Sequence, residues 1–217
     1  MYQKNQAACL LAALACVLVL TAACTDPKQG NDEPEHIANN FTDLVITALN
    51  DPALEEFDRD VLQRAKDSGR VEQADYDEAY RRFAHCLAMS AKPVGLTRLS
   101  NGLYRVKNTP LSDGESIEFA MSVVTKCQRG TTNEIGELYG IQQGNPDLLA
   151  DPFKVSHKCL HDKGMIDSSF STEDLRKSIA PEGSRPSANL PFDANGDEAQ
   201  ACFIGANMTI VVPAPQT

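Results

Sequence analysis

Apolar residues recur at intervals of three and four along much of the chain, the spacing that gathers them on one face of an α-helix. Residues 36–49 carry Ile37, Phe41, Leu44, Val45 and Leu49 on such a stripe. Leu54, Phe57, Val61, Leu62 and Ala65 form a second, with Asp51 as cap, Pro52 in the first turn and Gly69 as the stop. A third helix from about Ala74 aligns Tyr76, Tyr80, Phe83, Cys86 and Leu87, and Pro93 ends it. The period then falls to two. Residues 94–100 and 103–107 read as strands around Asn101-Gly102, a strong hairpin signal. Helical spacing returns with Ile117, Ala120, Met121, Val124 and Cys127, behind a cap at Ser112 or Asp113. Residues 133–143 predict another helix, in which Gly136, Gly140 and the following Gly144 would admit a neighbouring backbone. Asp151-Pro152 opens the helix that bears Cys159 and closes at Gly164. Ser171 and Asp174 form a capping box for a helix over 171–180. Residues 181–195 read as a long loop, a last short helix carries Cys202, and 209–212 predicts a terminal strand. The fold class is α-rich α+β: a helical domain with one small β-hairpin.

The N-terminus follows a different pattern. Lys4 precedes an uncharged run over residues 7–23, which is shorter than the roughly 20 apolar residues of a spanning helix and is followed by a polar, acidic segment. That is the arrangement of a signal peptide. The run closes on Leu20-Thr21-Ala22-Ala23-Cys24, which resembles the lipobox of bacterial lipoproteins, with Thr21 where Leu is usual. The resemblance implies cleavage before Cys24, a diacylglycerol on its thiol and a further acyl group of the palmitate kind on its amine. Two or more acyl chains give stable attachment, where one is marginal. Residues 1–23 are thus expected to be the lipoprotein signal, 24–36 an acidic flexible tether, and 37–217 an extracytoplasmic domain.

Seven cysteines then sort themselves. Cys9 and Cys16 leave with the signal and Cys24 carries lipid. Cys86, Cys127, Cys159 and Cys202 remain, and an even set in an exported chain reads as two disulfides. The separations from Cys86 to Cys127 and from Cys159 to Cys202 are 41 and 43 residues. Their surroundings match as well. Cys86-Leu87 and Cys159-Leu160 each follow an aromatic by six residues, Tyr80 and Phe153, and each precedes a small residue by five, Ala91 and Gly164. Gly130 and Gly205 stand three residues after the second cysteines. These matches predict two degenerate repeats, about 70–130 and 145–205, each closed by its own disulfide. Loops of this size contribute roughly 4 kcal/mol each in the chain-entropy model.

The run Asp67-Ser68-Gly69-Arg70-Val71, with Asp75-Tyr76, Ala79 and Cys86-Leu87, is similar to a group of uncharacterised secreted proteins and lipoproteins of actinobacteria. Asn145-Pro146, Cys159-Leu160 with Gly164, Thr172-Glu173-Asp174, Leu190-Pro191-Phe192 and Cys202 extend the likeness, which covers roughly residues 54–205. Ala91 departs from it, since that group usually has Gly there. The resemblance implies an envelope location and brings no catalytic residue.

A net charge of −10, and −11 once Lys4 is removed, argues against nucleic acid and against direct adhesion to an anionic bilayer. Membrane contact is therefore expected through the lipid on Cys24, with an envelope protein or the cell wall as the class of partner. Aligned on Gly69, a calcium loop would place Arg64 and Lys66 at ligand positions, and 193–197 lacks the glycine position and the bidentate Glu. His157 and His161 lie four apart on one helical face, where they could share a metal, but the metalloprotease Glu is missing and Cys159 is needed for its bridge. The Gly-x-Ser-x-Gly, Ser-x-x-Lys and phosphate-loop motifs are also missing. Glu55, Glu56, Glu115 and Glu118 are expected on solvent faces. The expectation is an envelope binding or structural module, not an enzyme, with no catalytic residue, metal or cofactor assigned. The alternative is an envelope hydrolase, either metal-dependent through His157 and His161 or a carboxylate glycosidase.

Overall fold

The computed structural model describes residues 35–179 and 190–210. The expected signal peptide, Cys24, nearly all of the tether, most of the 181–195 loop and the end of the 209–212 strand lie outside them. Among the described residues the order is α1 (Phe41–Leu49), α2 (Glu56–Ser68), α3 (Gln73–Met89), β1 (Gly95–Arg98), β2 (Tyr104–Lys107), α4 (Ile117–Gln128), α5 (Asn133–Gly144), α6 (Pro152–Asp162), α7 (Thr172–Ile179) and α8 (Asp197–Gly205). None of these helices is long and apolar enough to cross a membrane.

The stripes of α1, α2, α3 and α5 close on one another around Val45, Val61, Leu62, Ala79 and Ile135. Tyr76 lies at the centre, its ring stacked 4.2 Å from Tyr139 and 5.7 Å from Tyr104. Its buried hydroxyl accepts the Tyr104 N–H at 2.9 Å, which moors the hairpin to α3. A second cluster gathers α6, α7 and α8 around Leu160, Leu175 and Phe203. The two clusters meet where α5 crosses α8, and Gly144 makes that crossing possible: a Cβ there would stand 2.1 Å from the Gly205 Cα. Gly140 meets nothing within 4 Å, so the expected backbone approach is confined to Gly144.

The disulfides are Cys86–Cys127 and Cys159–Cys202, with Cα–Cα distances of 5.6 and 5.5 Å. The first halves of the repeats agree in backbone detail. Five residues after each first cysteine the chain turns left-handed, at Ala91 (φ 56°) and Gly164 (φ 68°). The following N–H then reaches back to the residue after the cysteine, Lys92 to Leu87 at 2.8 Å and Met165 to Leu160 at 2.9 Å. Ala91 thus adopts the cap that Gly164 adopts, against the preference of a residue with a Cβ. The second halves differ. Gly130 is left-handed (φ 71°) in a loop, whereas Gly205 is helical and faces Gly144. Cys202 instead repeats the closure of the first cysteines, with Asn207 at φ 56° and Met208 N–H on the Phe203 carbonyl at 2.8 Å.

Several boundaries move from their sequence positions. Helix α1 begins after Asn40, whose side chain accepts from the Asp43 N–H at 3.0 Å, and not at His36. His36 pairs with Leu149 in an isolated bridge. Asp51 caps a tight turn by accepting from Ala53 N–H at 2.8 Å, and α2 starts only at Glu56. The cap of α4 is Ser116, accepting from Phe119 N–H at 3.1 Å, and not Ser112 or Asp113. The hairpin closes through Leu99 and Leu103 around three residues, with Gly102 at φ 83°, so Asn101-Gly102 does not form a two-residue turn. Asn101 is free to donate to the Ala201 carbonyl at 2.8 Å, tying the turn to α8. Residues 209–210 are not in a strand.

Candidate functional site

The stripe of α4 is only partly used. Cys127 is its one buried residue, while Ile117 and Met121 are 59% and 63% exposed, joined by Leu111 at 47%. The disulfide pins the C-terminal end of α4 to α3, and Phe83, Leu87, Val94 and Val124 pack around it. Farther along, α4 faces the segment after β2 across a groove of about 560 Å³. Leu87 and Val94 lie on one side, Ile117, Met121 and Val124 on another, and Pro110 and Leu111 on a third. Asn108, Thr125 and Gln128 add polar groups. The volume falls in the range of about 300–1,000 Å³ usual for small-ligand sites.

Two polar contacts set the groove's edge. Thr109 Oγ1 donates to the Pro93 carbonyl, joining the segment after β2 to the exit of α3. Lys92 Nζ donates to Glu115 Oε2, and that oxygen also accepts the Ser112 N–H at 2.8 Å. Glu115 is therefore not on a free solvent face, as the sequence implied. Its side chain is 8% exposed, and the Lys92 ammonium, with the Ser112 N–H, holds its carboxyl below the ordinary carboxylate range. The pair makes the loop before α4 a fixed wall.

The other residues singled out by sequence are not gathered at this groove. His157 and His161 stack with ring centroids 6.5 Å apart. His157 Nε2, however, lies 2.6 Å from the Phe170 carbonyl oxygen, and the nearest acid on His161 is Asp162 at 3.8 Å. Among the described residues no group of three or more His, Cys, Asp or Glu is arranged to hold a metal ion. Glu55 and Glu56 are exposed at the start of α2, with no capping hydrogen bond from the Glu55 side chain, and Glu118 is exposed in the first turn of α4.

The sequence reading missed one buried acid. Asp58 stands four residues after Leu54 and three before Val61, on the apolar face of α2, and is 2% exposed. A carboxylate in register with an apolar stripe was the available signal. Burial, with Glu134 and Glu55 nearby, raises its pKa to about 6, against the smaller opposing effects of the Gly130 N–H and Arg82.

No protein-family profile, curated protein or solved structure matches the chain.

Proposed function

We propose that this chain is a lipid-anchored extracytoplasmic binding module whose α3–α4 groove takes an aliphatic chain. The observation that carries the reading is an apolar groove whose rim residues Leu111, Ile117 and Met121 are left substantially in water. Large apolar side chains clustered at a concave surface mark an interaction site more often than scattered exposure does. The apolar side chains of the lining are aliphatic or methionine, with no aromatic ring among them, and adapt to a flexible chain better than to a fixed ring system. Full burial of one such side chain is worth about 1.5–3 kcal/mol, so partial cover of three supports useful affinity.

The sequence supplies the setting. The lipobox at Cys24 supports attachment to the outer face of the cell membrane, and two disulfides suit an oxidising compartment. The 11 residues between Cys24 and His36 span at most roughly 40 Å of extended chain. That tether keeps the groove within range of lipid and of envelope proteins, while the acidic domain itself is repelled by an anionic surface.

The test is a fluorescence titration with a neutral, dye-labelled dodecyl chain. The wild type should bind one equivalent, and Met121→Asp should weaken binding by about tenfold or more, because a carboxylate must then be desolvated against the chain. Met121 is already in water, so the variant folds normally. Equal binding by wild type and Met121→Asp would reject the groove as the site.

A further inference from the structure

Asp58 also lines a second concavity, of about 390 Å³, between the start of α2 and the junction of α4 with α5. This concavity shares only Thr125 with the apolar groove. The carboxyl of Asp58 receives the Gly130 N–H, and its Oδ1 has no hydrogen-bond partner. A buried carboxylate with an open acceptor is costly, and chains usually relieve it with an adjacent cation. Here the walls add two further acids, Asp51 and Glu134, against one cation, Arg129, beside Leu54 and Ala53. Gly130, at φ 71°, lets the Glu55 side chain come close: a Cβ there would stand 2.6 Å from Glu55 Cγ. Among nearby cations, Arg82 is turned to Glu78 at 2.8 Å and lies 3.8 Å over the Phe57 ring. Among the described residues, Arg129 is the one cationic side chain in the pocket lining.

We propose that this pocket binds a small organic cation through an ammonium group, with Asp58 as the anchoring carboxylate and Glu134 and Asp51 sharing the charge. The ammonium supplies the donor that Oδ1 lacks, and Leu54 and Ala53 receive the carbon skeleton. A bare metal ion fits less well, since calcium needs six to eight oxygens and no such group is assembled among the described residues. The groups that bear on Asp58 are Glu55 at the start of its own helix, Glu134 of α5 and Arg82 of α3. Near neutral pH the net result is an ionised, under-compensated acid facing a concave surface.

Calorimetry with putrescine on the full mature chain tests this at about pH 7.5. The wild type should bind one equivalent. Asp58→Asn, which keeps the shape, should weaken binding roughly tenfold or more, as loss of a charged hydrogen bond predicts. Asp60→Asn, the same charge change on an exposed residue of α2, should leave affinity within about twofold. Wild-type affinity should also fall as pH drops below about 6, where Asp58 takes up a proton. A thermal melt of each variant checks folding, and Glu134→Gln gives a second disruption, with a smaller loss expected. The absence of saturable binding, equal loss in Asp58→Asn and Asp60→Asn, or stoichiometric calcium binding that displaces putrescine would each overturn the proposal.

Discussion

The proton equilibrium of Asp58 ties one residue to the stability of the fold. Its folded pKa is about 6, against 3.8 for a free aspartate. The folded state therefore holds this proton more tightly than the unfolded chain does. The stabilising protonation is fully present below about pH 4 and is lost as pH rises through about 6. The corresponding cost of the ionised form is about 3 kcal/mol, an upper figure for a group with some polar company. Asp58→Asn should therefore be more stable than wild type at pH 7.5 by up to that amount, with the advantage fading to near zero at pH 4. Urea denaturation at the two pH values measures the difference, and a pH-independent difference would show that Asp58 is already compensated. Single residues were unevenly legible in the sequence. The cysteine pairing was readable because spacing and neighbours repeat. His157 was not, because the Phe170 carbonyl that meets it comes from 13 residues away, beyond the end of its helix. Glu115 likewise found Lys92 across a turn of the fold that no local pattern encodes.

Helices were legible as stripes, but a stripe does not say what covers it. In α2, α3 and α5 the apolar face meets other helices, whereas the same pattern in α4 is covered only toward its C-terminal end, at Val124 and Cys127, and left open at Ile117 and Met121. Helix starts moved where a capping residue had a competing local use, as when Asp51 closes a turn on Ala53 before α2 begins. The glycines of α5 share a four-residue spacing but not a role. Gly144 faces the backbone of α8, and Gly140 faces open space. Gly144→Ala should cost about 1–3 kcal/mol by forcing α5 from α8. Gly140→Ala should instead gain roughly 0.5–1 kcal/mol from helix propensity. Chemical denaturation separates the two, and a neutral Gly144→Ala would place the crossing elsewhere.

At the scale of the whole molecule, the helical cluster of α1, α2, α3 and α5 meets the disulfide-bridged cluster of α6 to α8 at the Gly144–Gly205 approach and the Asn101–Ala201 hydrogen bond, and the apolar groove lies beside a third cluster built around Cys86–Cys127. That position leaves the groove open while the core beneath it is cross-linked, an arrangement suited to holding a ligand without unfolding. Anchoring through Cys24 would keep it at the membrane surface, so Cys24→Ser should shift the protein from the detergent phase to the aqueous phase on phase separation. Unchanged partitioning would make the 7–23 run itself the anchor. The central claim, that the groove receives an aliphatic chain, is tested most directly by photo-crosslinking. A neutral alkyl alcohol bearing a diazirine, irradiated with the folded protein and mapped by peptide mass spectrometry, should label the peptides that carry Leu111, Ile117 and Met121. An excess of unlabelled dodecanol should suppress that labelling. Labelling spread over the surface, or confined to peptides of α6 to α8, would contradict the account.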